Sequence, residues 1–172
     1  MRSSLALMFV ACCAPSLGAQ GIRINMEPWR EPVLMDTLRQ NHDLDLPPAK
    51  VYEATLKAFA ALDIPVGNTA GNLGIIGSER FTRSRSLGGE LLSKSFNCGE
   101  GPVGAFADSY RLEIAIVAYI EARPGGGTRL GLASVASARD PAGPYRYPKE
   151  CGSTGHFELK LLDRIKSLSA AE

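Results

Sequence analysis

The chain has 172 residues, with 19 Lys and Arg against 18 Asp and Glu and a formal net charge of +1. A chain this close to neutral has no electrostatic reason to seek nucleic acid or an anionic membrane, so neither is an expected partner. No stretch after the first twenty residues is apolar for long enough to span a bilayer as a helix.

Residues 1–19 have the three parts of a secretory signal peptide: a basic residue (Arg2), an apolar run over 5–14, and the small residues Ser16, Gly18 and Ala19. Cleavage after Gly18, Ala19 or Gly21 would each leave small residues at the cut. Export to the periplasm or to the outside of the cell is the expectation. Cys12, after Phe9, Val10 and Ala11, invites the alternative of an outer-membrane lipoprotein, acylated at that cysteine. Phe9 is bulky for such a signal and only eleven residues precede the cysteine. Membrane contact is expected only if Cys12 is lipidated.

About 150 residues then remain, enough for one domain that buries a core unaided. Of the four cysteines, Cys98 and Cys151 survive signal removal. An even count in an oxidising compartment reads as a structural disulfide, with a loop-entropy gain of roughly 4 kcal/mol. Zinc is disfavoured because no His or Cys lies at ligand spacing, and thiol redox chemistry because there is no C-x-x-C pair.

Residues 20–39 carry the single tryptophan, Trp29, with Pro28 and Pro32 and no clear period, and read as an N-terminal arm or linker packed loosely on the domain that occupies 40–172. Alternation of Asn41, Asp43 and Asp45 with His42, Leu44 and Leu46 predicts a short strand ending at Pro47-Pro48. Proline in the first turn opens a helix over 48–62, with Val51, Thr55, Ala58 and Leu62 as its buried stripe, widened by Tyr52, Leu56 and Phe59. A hairpin follows, turning at Ala70-Gly71-Asn72. The interval 83–109 is rich in Gly and Ser and reads as a long loop with a short helical stretch near 89–95.

Residues 110–121 form the clearest strand. Tyr110, Leu112, Ile114, Ile116, Ala118 and Ile120 face one way, whereas Arg111, Glu113, Tyr119 and Glu121 share the other face with Ala115 and Val117. Pro124 to Gly127 make a turn, and 128–138 run back as the antiparallel partner. A second long loop over 140–151 precedes a final helix with the stripe Phe157, Leu161, Ile165 and Leu168. The element order predicts an α+β fold of two layers, an antiparallel sheet with two helices packed on one face.

In outline this helix-grip-like arrangement resembles the C-terminal domains of BamC-like bacterial envelope lipoproteins. The resemblance covers 44–168 and rests on element order, the Pro47-Pro48 helix start, the Leu62-Asp63-Ile64-Pro65 helix exit and the Cys151-Gly152-Ser153-Thr154-Gly155 lead into the last helix. It implies a non-catalytic accessory role in the cell envelope, and no functional residue is carried over from it.

No catalytic constellation accompanies His42 or His156. Asp43 and Asp45 read as solvent-facing charges on an edge strand rather than metal ligands. Gly125-Gly126-Gly127 reads as a hairpin turn, since no Gly-Lys-Ser/Thr follows. No cofactor or metal site is expected. The candidate partner-binding residues are the basic cluster Arg80, Arg83 and Arg85, and the loop residues Tyr145, Arg146 and Tyr147, aromatic and arginine side chains being common at binding hot spots. The leading expectation is a non-catalytic exported module that binds a protein partner of the cell envelope. The alternatives are a carrier of a small apolar ligand between sheet and last helix, and a hydrolase or redox enzyme without a recognisable motif.

Overall fold

The computed structural model describes residues 21–143 and 147–170. In chain order the elements are β1 (Arg23–Ile24), β2 (Val33–Leu34), a 3-10 turn (Met35–Leu38), β3 (Gln40–Leu44), α1 (Pro48–Ala61), β4 (Asn68–Ala70) and β5 (Ile75–Ser84). The middle segment holds β6 (Ser86–Leu87), β7 (Glu90–Leu91), α2 (Leu92–Ser95), β8 (Phe96–Asn97), β9 (Glu100–Gly101), β10 (Gly104–Ala105) and α3 (Phe106–Ser109). The long hairpin β11 (Arg111–Ala122) and β12 (Thr128–Arg139) follows, then β13 (Lys149–Ser153) and α4 (His156–Ala170).

The fold is α+β, with a seven-stranded sheet ordered β4-β5-β11-β12-β13-β8 and β3 also paired to β12; every pairing is antiparallel. The β11–β12 pair is its spine, in unbroken register from Arg111 opposite Arg139 to Ala122 opposite Thr128. Strict alternation places Leu112, Ile114, Ile116, Ala118 and Ile120 on one face, where they join Val51, Ala58 and Phe59 of α1 and Phe157, Leu161 and Ile165 of α4 in one core. Both long helices lie on that face, as the one-sided patterns of 48–62 and 156–168 require.

Local chemistry sets the ends of α1. Pro48 stands at its first position, where a missing amide proton leaves nothing unpaired. At its exit Asp63 takes a left-handed conformation (φ 56°), the amide of Ile64 bonds the carbonyl of Phe59 at 2.8 Å, and that of Asp63 bonds Ala60 at 3.2 Å. These two reversed bonds satisfy carbonyls that the last turn would otherwise leave open, and Ile64 and Phe59 are both buried beneath them.

Three segments differ from the expectations above: the first is the end of the 140–151 loop, where Lys149–Ser153 is strand β13, held by pairing with β12 and β8. The interval 83–109 contains two small hairpins and two single helical turns, with Leu87, Leu92, Phe96 and Ala107 in the core. Each piece is too short to show a period of its own, and tertiary burial holds it. Residues 22–38, expected as a loosely packed arm, form a cover over the sheet's second face. Ile24, Met26 and Met35 are buried there against Ala115, Val117, Tyr119, Ala133 and Val135. Arg39 extends this cover across the strand, with its guanidinium over the Tyr119 ring and 2.6 Å from Glu121. Gly131 makes room for it, since a Cβ at that position would lie 2.3 Å from Arg39 Cδ.

Candidate functional site

The sequence-predicted disulfide is present: Cys98 and Cys151 are bonded across a separation of 53 residues, and both are buried. Beside it Phe96 and Asn97 of β8 pair with Ser153 and Gly152 of β13, and Thr154 donates from its amide and its hydroxyl to the carbonyls of Ser95 and Lys94. The middle segment is thus tied to the strand leading into α4. Such a bond fits an oxidising compartment. No helix among the described residues is long and apolar enough to cross a membrane.

The three arginines of the basic cluster do not converge. Arg80 sits in a β-bulge, where Glu79 and Arg80 together oppose the stretch between Ile114 and Ile116; its φ is 31° and its guanidinium lies 3.8 Å from Glu113. Arg83 is turned toward the exit of α1, donating to the carbonyls of Asp63 and Thr82 and stacking over Phe81. Arg85 occupies the turn before β6 with a φ of 70°. The edge of β5 beyond its short pairing with β4 carries these charges and the bulge, features that discourage another strand from adding there.

Tyr147 is 92% exposed. Tyr145 and Arg146 lie outside the described residues, as do 1–19 with Cys12. Asp43 and Asp45 are held in an ion-pair ladder: Asp43 lies 3.2 Å from Arg129, and Arg123 lies 3.7 Å from Asp43 and 3.3 Å from Asp45. His156 Nε2 lies 2.9 Å from Glu90, whose carboxylate also receives Lys160 at 2.9 Å. Hydrogen bonds from Lys160 and His156 hold Glu90 well down, at about 2. His42 is half-buried on β3, with its Nε2 lacking a hydrogen-bond partner among the described residues. Burial first, and then the positive charge of Lys166, hold its imidazole below the ordinary value, which favours the neutral ring.

One recess not anticipated from the sequence has a buried carboxylate in its lining. Along one edge of β12, residues 128–132 pair with β3 and residues 136–138 pair with β13, so Ala133, Ser134 and Val135 have no strand beside them. This interruption opens a window of about 460 Å³ bordered by Gln40, Ser134, Gly152 and Ser153, with Trp29, Val33 and Leu38 of the N-terminal cover at its rim. Glu158, 2% exposed, contributes to its lining. Ser134 Oγ donates to Glu158 Oε1 at 2.6 Å, and Ser153 Oγ lies 2.8 Å from Oε1 and 2.9 Å from Oε2. The position of Glu158 in the first turn of α4 adds the favourable end of the helix dipole. One signal for its burial was present: Glu158 precedes Leu162 by four residues and Ile165 by seven, which places it on the buried face. Nothing local reveals that the sheet is interrupted opposite it.

A wider cleft of about 670 Å³ lies between the start of α1 and the turn before β5, lined by Tyr52, Glu53, Leu73 and Gly74. Leu73 there is 65% exposed. No polar group of this cleft is buried as Glu158 is. Comparison with family models, curated proteins and solved structures finds no match to this chain.

Proposed function

We propose that this protein is an exported, non-catalytic module that binds a protein partner in the cell envelope, at the corner where the disulfide ties the middle segment to β13. The observation that carries this reading is the pair of side chains presented there. Val103, at the tip of the β9–β10 hairpin, is 89% exposed, and Tyr147, just before β13, is 92% exposed. The two segments meet directly, since Lys149 Nζ lies 4.6 Å from the centre of the Phe106 ring. Large apolar and aromatic groups left in water on a covalently braced frame are suited to a protein interface, because little ordering entropy is lost when the partner docks.

The secretory pattern of residues 1–19 and the disulfide support the exported compartment. The likeness to BamC-like envelope domains is consistent with an accessory role of this kind. Carriage of an apolar ligand is less well supported. Ile114, Ile116, Leu132, Leu161 and Ile165, which fill the space between sheet and α4, are each at most 1% exposed.

The test is site-specific photocrosslinking in a Gram-negative host expressing the full precursor, with the crosslinker at Tyr147, Val103 or, as a control on the far helix, Arg164. A discrete crosslinked species at 147 and 103 and none at 164 is the expected result, with an intact mass that places the mature N-terminus after residue 18, 19 or 21. Failure of both corner positions to crosslink would sink the partner-binding reading, and a mature N-terminus at an acylated Cys12 would replace the soluble compartment by a membrane-anchored one.

A further inference from the structure

The window in the sheet has an electrostatic peculiarity. Glu158 is almost completely buried, and the neutral hydroxyls of Ser134 and Ser153 hydrogen-bond its carboxylate. Among the described residues no Lys, Arg or His pairs with it. A buried carboxylate without a cation carries a large desolvation penalty, and the helix dipole at the first turn of α4 is equivalent to only about half a charge. The opening has a second carboxylate at its border, Glu150, and no basic side chain lines it. A chain with a net charge of +1 has thus gathered only acids at this point.

The remaining borders complement a cation on an apolar stem. Trp29, Val33 and Leu38 form an apolar rim, and an indole attracts an ammonium or guanidinium to its face. Gln40 and Ser134, both at its border, supply neutral acceptors for the remaining N–H groups of such a cation. The volume of about 460 Å³ suits a ligand the size of a long side chain.

We propose that this window is a binding site for an alkylammonium or guanidinium group, with Glu158 as its counter-ion and Trp29 as its apolar wall. The window borders the disulfide corner through Glu150 and Cys151, but the proposal uses neither Tyr147 nor Val103 and does not depend on partner binding there. The same chemistry has two sources, a lysine or arginine side chain of a peptide and a free diamine.

Trp29 is the single tryptophan of the chain, so its fluorescence reports on the rim directly. The mature, disulfide-bonded protein is titrated with the capped amino acids N-acetyl-lysine methylamide and N-acetyl-arginine methylamide, with cadaverine, and with the uncharged N-acetyl-norleucine methylamide. Backbone amide NMR shifts are recorded in parallel. The expected result is a saturable change with the cations, at least about tenfold tighter than with norleucine, and amide shifts that cluster at Ser134, Gly152 and Glu158. Tighter binding of the capped amino acids than of cadaverine assigns the site to peptide side chains, and the reverse order assigns it to free amines. Glu158→Gln removes the preference for charge. Should that variant fail to fold, the lysine and norleucine comparison on the unaltered protein decides alone. Equal response to lysine and norleucine, or no saturable response to any cation up to about 10 mM, would overturn the proposal and leave Glu158 a helix-start residue.

Discussion

Replacing Met35 by alanine tests whether residues 22–38 are a layer of the domain or a dispensable arm. Met35 is fully buried, in a cluster with Ile24, Met26, Ala115, Val117, Tyr119, Ala133 and Val135. The substitution removes three heavy atoms beyond Cβ, which at about 0.8 kcal/mol each amounts to roughly 2.4 kcal/mol of lost transfer free energy. A cavity term adds to this, although a cover lying on one sheet face can settle inward, so a total of about 2.5–3 kcal/mol is expected, toward the lower end of Met→Ala losses. Urea unfolding followed by both Trp29 fluorescence and far-UV circular dichroism measures it. With an m-value of about 2 kcal/mol/M, the midpoint should fall by roughly 1–1.5 M in both signals together. A loss under about 1 kcal/mol, or a fluorescence transition that clearly precedes the dichroism transition, would refute the reasoning, because either result means that the cover undocks before the domain unfolds.

Removing the disulfide with Cys98→Ala and Cys151→Ala should cost about 4 kcal/mol by loop entropy for a separation of 53 residues, read as a lowered urea midpoint of a chain that keeps its secondary structure. A loss below about 1 kcal/mol would show that β8–β13 pairing already closes this loop in the unfolded ensemble. Glu90 sets a pH dependence: its folded-state value, about 2, lies below the ordinary 4.5, so the folded state binds fewer protons than the unfolded state in that window. Its contribution is therefore fully present above about pH 4.5 and is lost as the pH falls toward 2. Glu90→Gln should flatten the acid limb of a thermal-melting series over that range, and an unchanged limb would mean that the contacts with Lys160 and His156 are not formed in solution.

The helix over 48–61, its Pro start and Leu62-Asp63-Ile64-Pro65 exit, the β11–β12 hairpin and the final helix are all carried by short-range signals: capping chemistry, turn residues and a period of 3.6 or 2. The disulfide was legible because only Cys98 and Cys151 lie beyond the leader-like segment 1–19, which leaves one pairing. The two apolar residues Ala115 and Val117 among the charges of the outer face were a trace of the N-terminal cover, but alternation says only that a face is apolar and never what lies on it. Arg80 and Arg83 are close in sequence, yet the bulge and the alternation of β5 send them to different places, toward Glu113 and toward Asp63. The window at Glu158 depends on where β3 and β13 stop along β12, two strands separated in sequence by more than a hundred residues. By itself the sequence determined the two long helices, the long central hairpin and which face of each is apolar, because those properties are set by neighbours within a turn or two. Only the tertiary structure decided what covers the second face of the sheet, where the sheet is left open and that Glu158 borders the opening, because these follow from non-local strand pairing, to which no local stretch of residues is sensitive.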